Sequence, residues 1–313
     1  MLAGGRDAGP LSGLWQTLLV NQFHDILPGT SIPEVHDRAI RELGEVVSGA
    51  QAASRETVSA VVAPDADSVT LFNSLSWARN EAALEDLPAG VALVGVTGQD
   101  VTTPWGARRV VVQGLNLPAL GSRSFSVVQA KGAVEPIPFA WHGDVLHTPH
   151  LRVRFADGGG LDSVVDIASG RELRAPDGLA LNTFLFGEDV PAAWDNWDID
   201  ADLALKLKPT LCLQQREVVA QGPLQCRVRQ TFVFGQGSNL VQDVVLHAHS
   251  PRMDFETVMY WREKHAFLAV VFPLNLRVTA ARHETQFGHV ERPTHRNTAV
   301  DRARFEVCQH KWT

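Results

Sequence analysis

Val61-Val62-Ala63-Pro64-Asp65-Ala66-Asp67-Ser68-Val69-Thr70-Leu71-Phe72 decides how this 313-residue chain folds. Upstream of Pro64-Asp65 the apolar residues recur at helical spacing. Downstream, short segments rich in Val, Leu and Phe alternate with Gly, Pro, Asn and Asp turns, as in antiparallel sheet. Toward the N-terminus, Leu14, Leu18 and Gln22, with Trp15 and Leu19 beside them, place an apolar stripe on a helix from about 11 to 24. Pro28-Gly29 breaks it. A second helix starts where Ser31 can cap and Glu34 can bond back in a capping box, with Pro33 in the first turn. Val35, Ala39, Leu43, Val46 and Ala50 carry it to about residue 60. Two helices joined by a short turn cannot hide both apolar faces. The spacing therefore predicts a third helix or partner surface upstream, and an uncovered side at Trp15 and Leu19 that self-association to a homo-oligomer would hide.

Downstream, strands are expected at about 68–72, 81–85, 91–97, 108–113 and 123–129, enough for a small antiparallel sheet domain. In the linker that follows, Pro136 and Pro138 exclude a central strand. From 144 a second β region begins, with strands near Val145 and at 151–155, 162–165 and 171–173 around Asp157-Gly158-Gly159-Gly160. After an irregular stretch at 180–202, longer strands are predicted at about 211–220, 224–234, 239–249, 254–261, 267–272 and 303–308. Alternation is cleanest at 225–233, where Cys226, Val228, Gln230 and Phe232 share one face. The expected architecture is mainly β with an N-terminal helical pair. Its parts are a bundle segment at 1–64, a small sheet domain at 65–130, a linker at 131–143 and a large antiparallel sandwich at 144–313.

A hydrophobic share of 45% with 20% charged residues is that of an ordinary globular protein. The net charge of -7 lacks the basic surplus that nucleic-acid binding shows. No apolar run reaches the roughly 18 to 20 residues that cross a bilayer, so neither nucleic acid nor membrane is an expected partner. The first residues contain no apolar signal core. Cys212, Cys226 and Cys308 are odd in number and widely spaced, which predicts reduced thiols in a cytoplasmic setting. The absence of GxGxxG, P-loop, HExxH and GxSxG patterns removes dinucleotide binding, zincin chemistry and elbow-type acyl transfer.

Three constellations carry possible chemistry. His24-Asp25 ends the first helix: a solvated pair, or an imidazole that ligates a metal beside a carboxylate that contacts substrate. Neighbouring helix positions point about 100° apart, so one ligand and one supporting group is the natural division. Trp194-Asp195-Asn196-Trp197-Asp198 mixes indoles with carboxylates, the chemistry of a sugar-facing surface and equally that of a packed loop. Asp195 and Asp198, three residues apart, do not by themselves make an acid–base pair. His289, Glu291 and His295 are metal-ligating types in a Pro-interrupted stretch, which also reads as a loop pinned by Arg292 to a carboxylate.

Taken together the motifs stop being generic. Asn21-Gln22-Phe23-His24-Asp25-Ile26-Leu27-Pro28-Gly29-Thr30-Ser31-Ile32 resembles the helical-bundle motif of the family 38 glycoside hydrolases, the retaining α-mannosidases, in its bacterial and cytosolic form. Leu71–Arg79, Trp194–Asp200, Phe287–His295 and Phe305–Trp312 follow in that family's order, so the resemblance covers residue 11 to the end. It implies hydrolysis of terminal α-linked mannose from oligosaccharides, with zinc or a related ion (cobalt, manganese) at the active site. By position, His24 matches the bundle's metal ligand and Asp25 the carboxylate that contacts mannose. The family's His-x-Asp metal pair and nucleophilic Asp, which lie in an upstream catalytic domain, have no counterpart here. The resemblance therefore implies a chain with no catalytic residue of its own, which makes no turnover and holds no metal tightly until joined to that domain. The expected sugar contacts are Asp25, then Trp194, Asp195, Trp197 and Asp198. The alternative is a non-catalytic carbohydrate-binding or structural β-sandwich protein.

Overall fold

The computed structural model describes residues 9–63, 65–130 and 135–313. Pro64, the break on which the sequence argument turned, and part of the 131–143 linker lie outside the described residues. Two helices open the chain, α1 at Gly9–Val20 and α2 at Pro33–Val61. The strands that follow are β1 (Ser68–Phe72), β2 (Arg79–Leu84), β3 (Val91–Leu93), β4 (Thr97–Thr102), β5 (Arg108–Leu117) and β6 (Ser122–Gln129). Next come β7 (Ala140–His142), β8 (Val145–His147), β9 (Leu151–Phe155), β10 (Leu161–Asp166), β11 (Arg171–Glu172) and β12 (Thr183–Glu188), then the single turn α3 (Leu203–Lys206). The last elements are β13 (Cys212–Gln221), β14 (Gln225–Phe234), β15 (Ser238–His247), β16 (Met253–Tyr260), β17 (Ala266–Val271), β18 (Ala280–Thr285), β19 (Gly288–Pro293) and α4 (Ala299–Ala303). The pairs β1–β6, β4–β5, β7–β8, β8–β9, β9–β10, β10–β11, β12–β17, β13–β14, β14–β15, β15–β16 and β18–β19 run antiparallel, as the alternation predicted. No helix among the described residues is long and apolar enough to cross a membrane.

The backbone groups into two compact units. The first comprises Met1–Ala78, Leu117–Val128 and Pro191–Ile199. In it α1 runs antiparallel to α2: Leu14 lies over Gly49, where a Cβ would come within 2.9 Å of it, and two turns later Asn21 reaches Glu42. Ala39 is the sole buried residue assigned to α2, while Trp15 and Leu19 are exposed as the sequence predicted. The same unit holds the β1–β6 pair. The buried Asn73 closes the turn after β1 by donating to the carbonyls of Trp77 (2.7 Å) and Pro118 (2.9 Å), while its side-chain oxygen accepts from the Leu75 amide. Asn73 in the second quoted motif is thus a structural hub.

The second unit comprises Arg79–Asn116, Gln129–Val190 and Asp200–Thr313. A five-stranded sheet in the order β11-β10-β9-β8-β7 faces a four-stranded sheet in the order β13-β14-β15-β16. Their core contains Leu146, Leu151, Val153, Phe155, Leu161 and Val164 from one side and Cys226, Val228, Val244 and Leu246 from the other. β7 follows Pro136 and Pro138 directly and occupies a sheet edge, where prolines before it break no ladder. At the hairpin around Gly159 (φ 104°) a Cβ would run into the Phe232 ring, so a glycine is required twice over.

Neither face of β14 is solvent-exposed over most of its length. Burial runs along almost the whole strand, and the side away from the apolar core carries Gln225, Arg227 and Arg229. Arg227 is 2% exposed and Asp243 is 0% exposed. Arg227 donates to Asp243 at 3.2 Å and pairs with Glu256, while Arg229 donates to Asp243 at 2.7 Å and to the Thr102 carbonyl at 2.9 Å. Gln99 of β4 completes this layer: its Oε1 accepts from the Leu224 and Gln225 amides and its Nε2 donates to the Gln225 carbonyl. The β2-β5-β4 sheet therefore meets the four-stranded sheet through charges and amides.

Four local expectations fail. Ser31 does not cap α2; Ile32 occupies that position without a side-chain bond, and the Ser31 hydroxyl donates instead to the Asp25 carbonyl at 2.9 Å. The irregular 180–202 stretch contains β12, which pairs with β17. The loop around 288–297 begins as a hairpin, β18–β19. The strand expected at 303–308 is replaced by α4 and coil, because Thr298 and Asp301 form a reciprocal capping box that starts a helix there.

Candidate functional site

α1 stops at Val20 and the chain turns through residues 21–29 on bonds such as Ile26 N–H to the Phe23 carbonyl (2.9 Å), with Gly29 in the left-handed region at φ 76°. The turn is fixed at both ends. Asn21 is buried, donating to the Thr17 carbonyl and to Glu42 at 2.8 Å. Bonds from Arg38, then from Asn21, hold the Glu42 carboxyl below the usual range. The Thr30 and Ser31 hydroxyls both donate to the Asp25 carbonyl. The Asp25 backbone is thus pinned while its side chain stays exposed.

His24 and Asp25 stand at the rim this turn creates. Their side chains are 68% and 49% exposed, and Nε2 of His24 lies 3.5 Å from Oδ2 of Asp25. The imidazole packs against Phe23 (centroids 4.3 Å apart) and, edge-on, against Trp197 at 6.1 Å. His24, Asp25, Trp194, Trp197 and Asp198 line one open concavity of about 450 Å³. Two constellations about 170 residues apart in sequence therefore share one site. A hydrogen bond of 2.6 Å from the Asn196 side chain to the Pro28 carbonyl ties them together. Sequence reasoning missed Asn196 and Phe23 as members; the Asn between the two Trp-Asp pairs was a signal for a left-handed turn residue, and its φ is 67°. Asp195 sits in the turn but is not among the lining residues.

The other candidates do not assemble. Glu291 pairs with Arg282, His295 contacts Asp301 at 3.4 Å, and His289 lies 6.1 Å from the Trp312 ring. Arg292 donates to the Cys308 carbonyl, so the carboxylate pin expected of it is a backbone contact. Among the described residues no group of three or more His, Cys, Asp or Glu side chains is placed to hold a metal. His24 with Asp25 therefore fits a divalent cation as the source of one imidazole ligand and a neighbouring carboxylate, and not as a complete donor set. All three cysteines are free thiols; burial pushes Cys226 up to about 12, leaving it inert at neutral pH.

The description "Glycosyl hydrolases family 38 C-terminal domain" matches residues 146–313, more than half of the chain, and "Alpha mannosidase middle domain" matches residues 6–61. The chain belongs to glycosyl hydrolase family 38. Among curated relatives, this family 38 chain is 34% identical over 311 residues to Alpha-mannosidase 2C1 of Homo sapiens, with 97% of the chain aligned. It is 28% identical to Alpha-mannosidase G of Dictyostelium discoideum. The chain spans 28% of the length of the human relative and 31% of the Dictyostelium one. A solved family 38 protein from Enterococcus faecalis superposes with a TM-score of 0.68 over 93% of this chain and 44% of its own, at 14% identity, a likeness of fold. The middle-domain match contains His24 and Asp25, and the C-terminal match contains Trp194–Asp198, so the concavity draws on both.

Proposed function

We propose that this chain is the bundle-and-sandwich portion of a retaining α-mannosidase that removes terminal α-linked mannose from oligosaccharides in the cytoplasm. Its catalytic nucleophile belongs to another domain of the same polypeptide. The observation that carries the reading is the convergence of His24, Asp25, Trp194, Trp197 and Asp198 on one concavity. Indoles stack on apolar sugar faces, and carboxylates accept from sugar hydroxyls. In this reading His24 supplies one ligand to zinc, cobalt or manganese, and Asp25, its backbone pinned by Thr30 and Ser31, accepts from the mannose hydroxyls. A divalent cation, when bound, contributes electrostatic stabilisation beside those hydroxyls. Family chemistry of this kind uses two carboxyl groups about 5 Å apart, and Asp25 and Asp198 are the carboxylates that line the concavity. We assign both to substrate.

Two consequences follow for the 313 residues by themselves. A lone imidazole leaves a cation mostly hydrated, so no tight metal binds, and no glycosyl-enzyme intermediate forms. Elemental analysis of the purified chain, beside hydrolysis of an aryl α-mannoside with added zinc or cobalt, tests both. One equivalent of metal that disappears in His24→Ala, or turnover above background, would refute them. In the whole protein His24→Ala lowers metal content and turnover together. Asp25→Asn lowers kcat/KM and leaves the metal in place.

A further inference from the structure

Trp194 has a backbone that works against its side chain. Its φ is 57°, in the left-handed region that a bulky residue occupies only at a cost in free energy. Packing does not offset that cost, because the side chain is 75% exposed and no ring contact among the described residues involves it. The conformation is nonetheless held firmly. The Trp194 carbonyl accepts from the amides of Trp197 (2.7 Å) and Asp198 (3.0 Å), and Asn196, also left-handed, is bonded to Pro28. The turn thus presents two indoles to the concavity in different states. Trp197 stands edge-on to His24 at 6.1 Å, and Trp194 is exposed.

We propose that Trp194 is a stacking platform for the second pyranose ring of an α-mannoside oligosaccharide, the ring next to the terminal mannose. This rests on the assignment of Asp25 and His24 to that terminal sugar. A flat apolar surface bordered by the Asp198 carboxylate matches a pyranose, which offers an apolar face and a rim of hydroxyls. The left-handed backbone is then the device that turns the indole outward. Because Trp197 already stands edge-on to the imidazole, the exposed indole of Trp194 is left for the neighbouring ring.

The test uses the 313-residue chain labelled with 5-fluorotryptophan, titrated with mannobiose and with methyl α-mannoside and followed by fluorine NMR. Mannobiose should shift the Trp194 resonance saturably. Trp194→Ala should weaken mannobiose about five-fold and leave methyl α-mannoside unchanged, while Trp194→Phe keeps most of the affinity. Trp194→Gly should weaken mannobiose equally and raise the melting temperature by about 2 °C, since glycine accepts the backbone without strain. A Trp kept for structure would lower it. Unchanged mannobiose affinity in Trp194→Ala, a lower melting temperature in Trp194→Gly, or no sugar binding to the unsubstituted chain each overturns the platform. If Asp25→Asn weakens methyl α-mannoside while Trp194→Ala is silent, the terminal-sugar assignment stands and only the platform falls.

Discussion

Two polar clusters in this molecule are built from similar side chains and behave in opposite ways. In the layer around Arg227, Asp243 and Gln99, which are buried, and Glu256, which is half-buried, the guanidinium and carboxylate groups have partners inside the protein. The cluster of His24, Asp25, Trp194, Trp197 and Asp198 is open to solvent, and its backbone is better tied than its side chains. Buried charge that is fully paired holds two sheets in register and has little left to offer a ligand. Exposed charge on a pinned backbone contributes little to the fold and keeps its hydrogen-bonding capacity for a ligand. In a family whose chemistry acts on sugars, the second arrangement is the one to test for function.

The contrast is broken most severely by unpairing the buried layer. Asp243→Ala leaves Arg227 and Arg229 facing each other without their shared carboxylate, so unfolding in urea should show a loss of about 3 to 5 kcal/mol. The double change Arg227→Met with Asp243→Leu should lose less than the two single changes combined, since it leaves fewer orphaned charges. Gln99→Ala ranks next. Gln99 serves the Leu224 and Gln225 amides with one oxygen and the Gln225 carbonyl with its nitrogen, and its removal should cost about 1 to 3 kcal/mol.

The buried layer also marks where sequence reasoning ran out. Alternation at 225–233 placed Cys226, Val228, Gln230 and Phe232 on one face, but alternation does not say what covers the other face, and the partners of its Gln and Arg residues lie on β4, β15 and β16. The switch from helix to strand near Pro64 was legible because both periodicities are strong. β4 was missed because Thr97-Gly98-Gln99-Asp100 has little strand character of its own and is held by pairing with β5. Thr298 and Asp301 advertise a helix start that the apolar pattern at 303–308 obscured. At the site, His24-Asp25 and Trp194–Asp198 were each legible as a candidate polar cluster. Their convergence was not, since it depends on Asn196 reaching Pro28 across the fold.

A smaller effect should appear in acid. Burial alone would raise the Asp254 pKa, but bonds from His247 (2.9 Å) and Arg252 more than offset it and hold the carboxyl down at about 2, against an ordinary 3.8. A carboxylate depressed on folding contributes stability that is fully present above its unfolded pKa and is lost as pH falls toward its folded one. The wild-type chain should therefore lose on the order of 1 to 2 kcal/mol from this group between about pH 4 and 2. Asp254→Asn should flatten that part of the stability curve. A loss of the same size in both chains would assign the acid sensitivity elsewhere.

The smallest stability change is expected at the site itself, and it sharpens the comparison most. His24 is 68% exposed, makes a 3.5 Å approach to Asp25 and packs its ring against Phe23 and Trp197, while the Asp25 contacts that fix the turn use its main-chain carbonyl, which no substitution removes. An exposed pair of this kind is worth little, because both groups are hydrated and their interaction is screened. His24→Ala and Asp25→Asn should each stay within about 0.5 kcal/mol of the unsubstituted chain in urea unfolding. Asn21→Ala, only three residues upstream, removes a buried bond to Glu42 and should cost about 1 kcal/mol or more. If His24→Ala destabilises as much as Asn21→Ala, the imidazole is part of the fold, and the division between a structural polar layer and a solvent-facing ligand site does not hold for this turn.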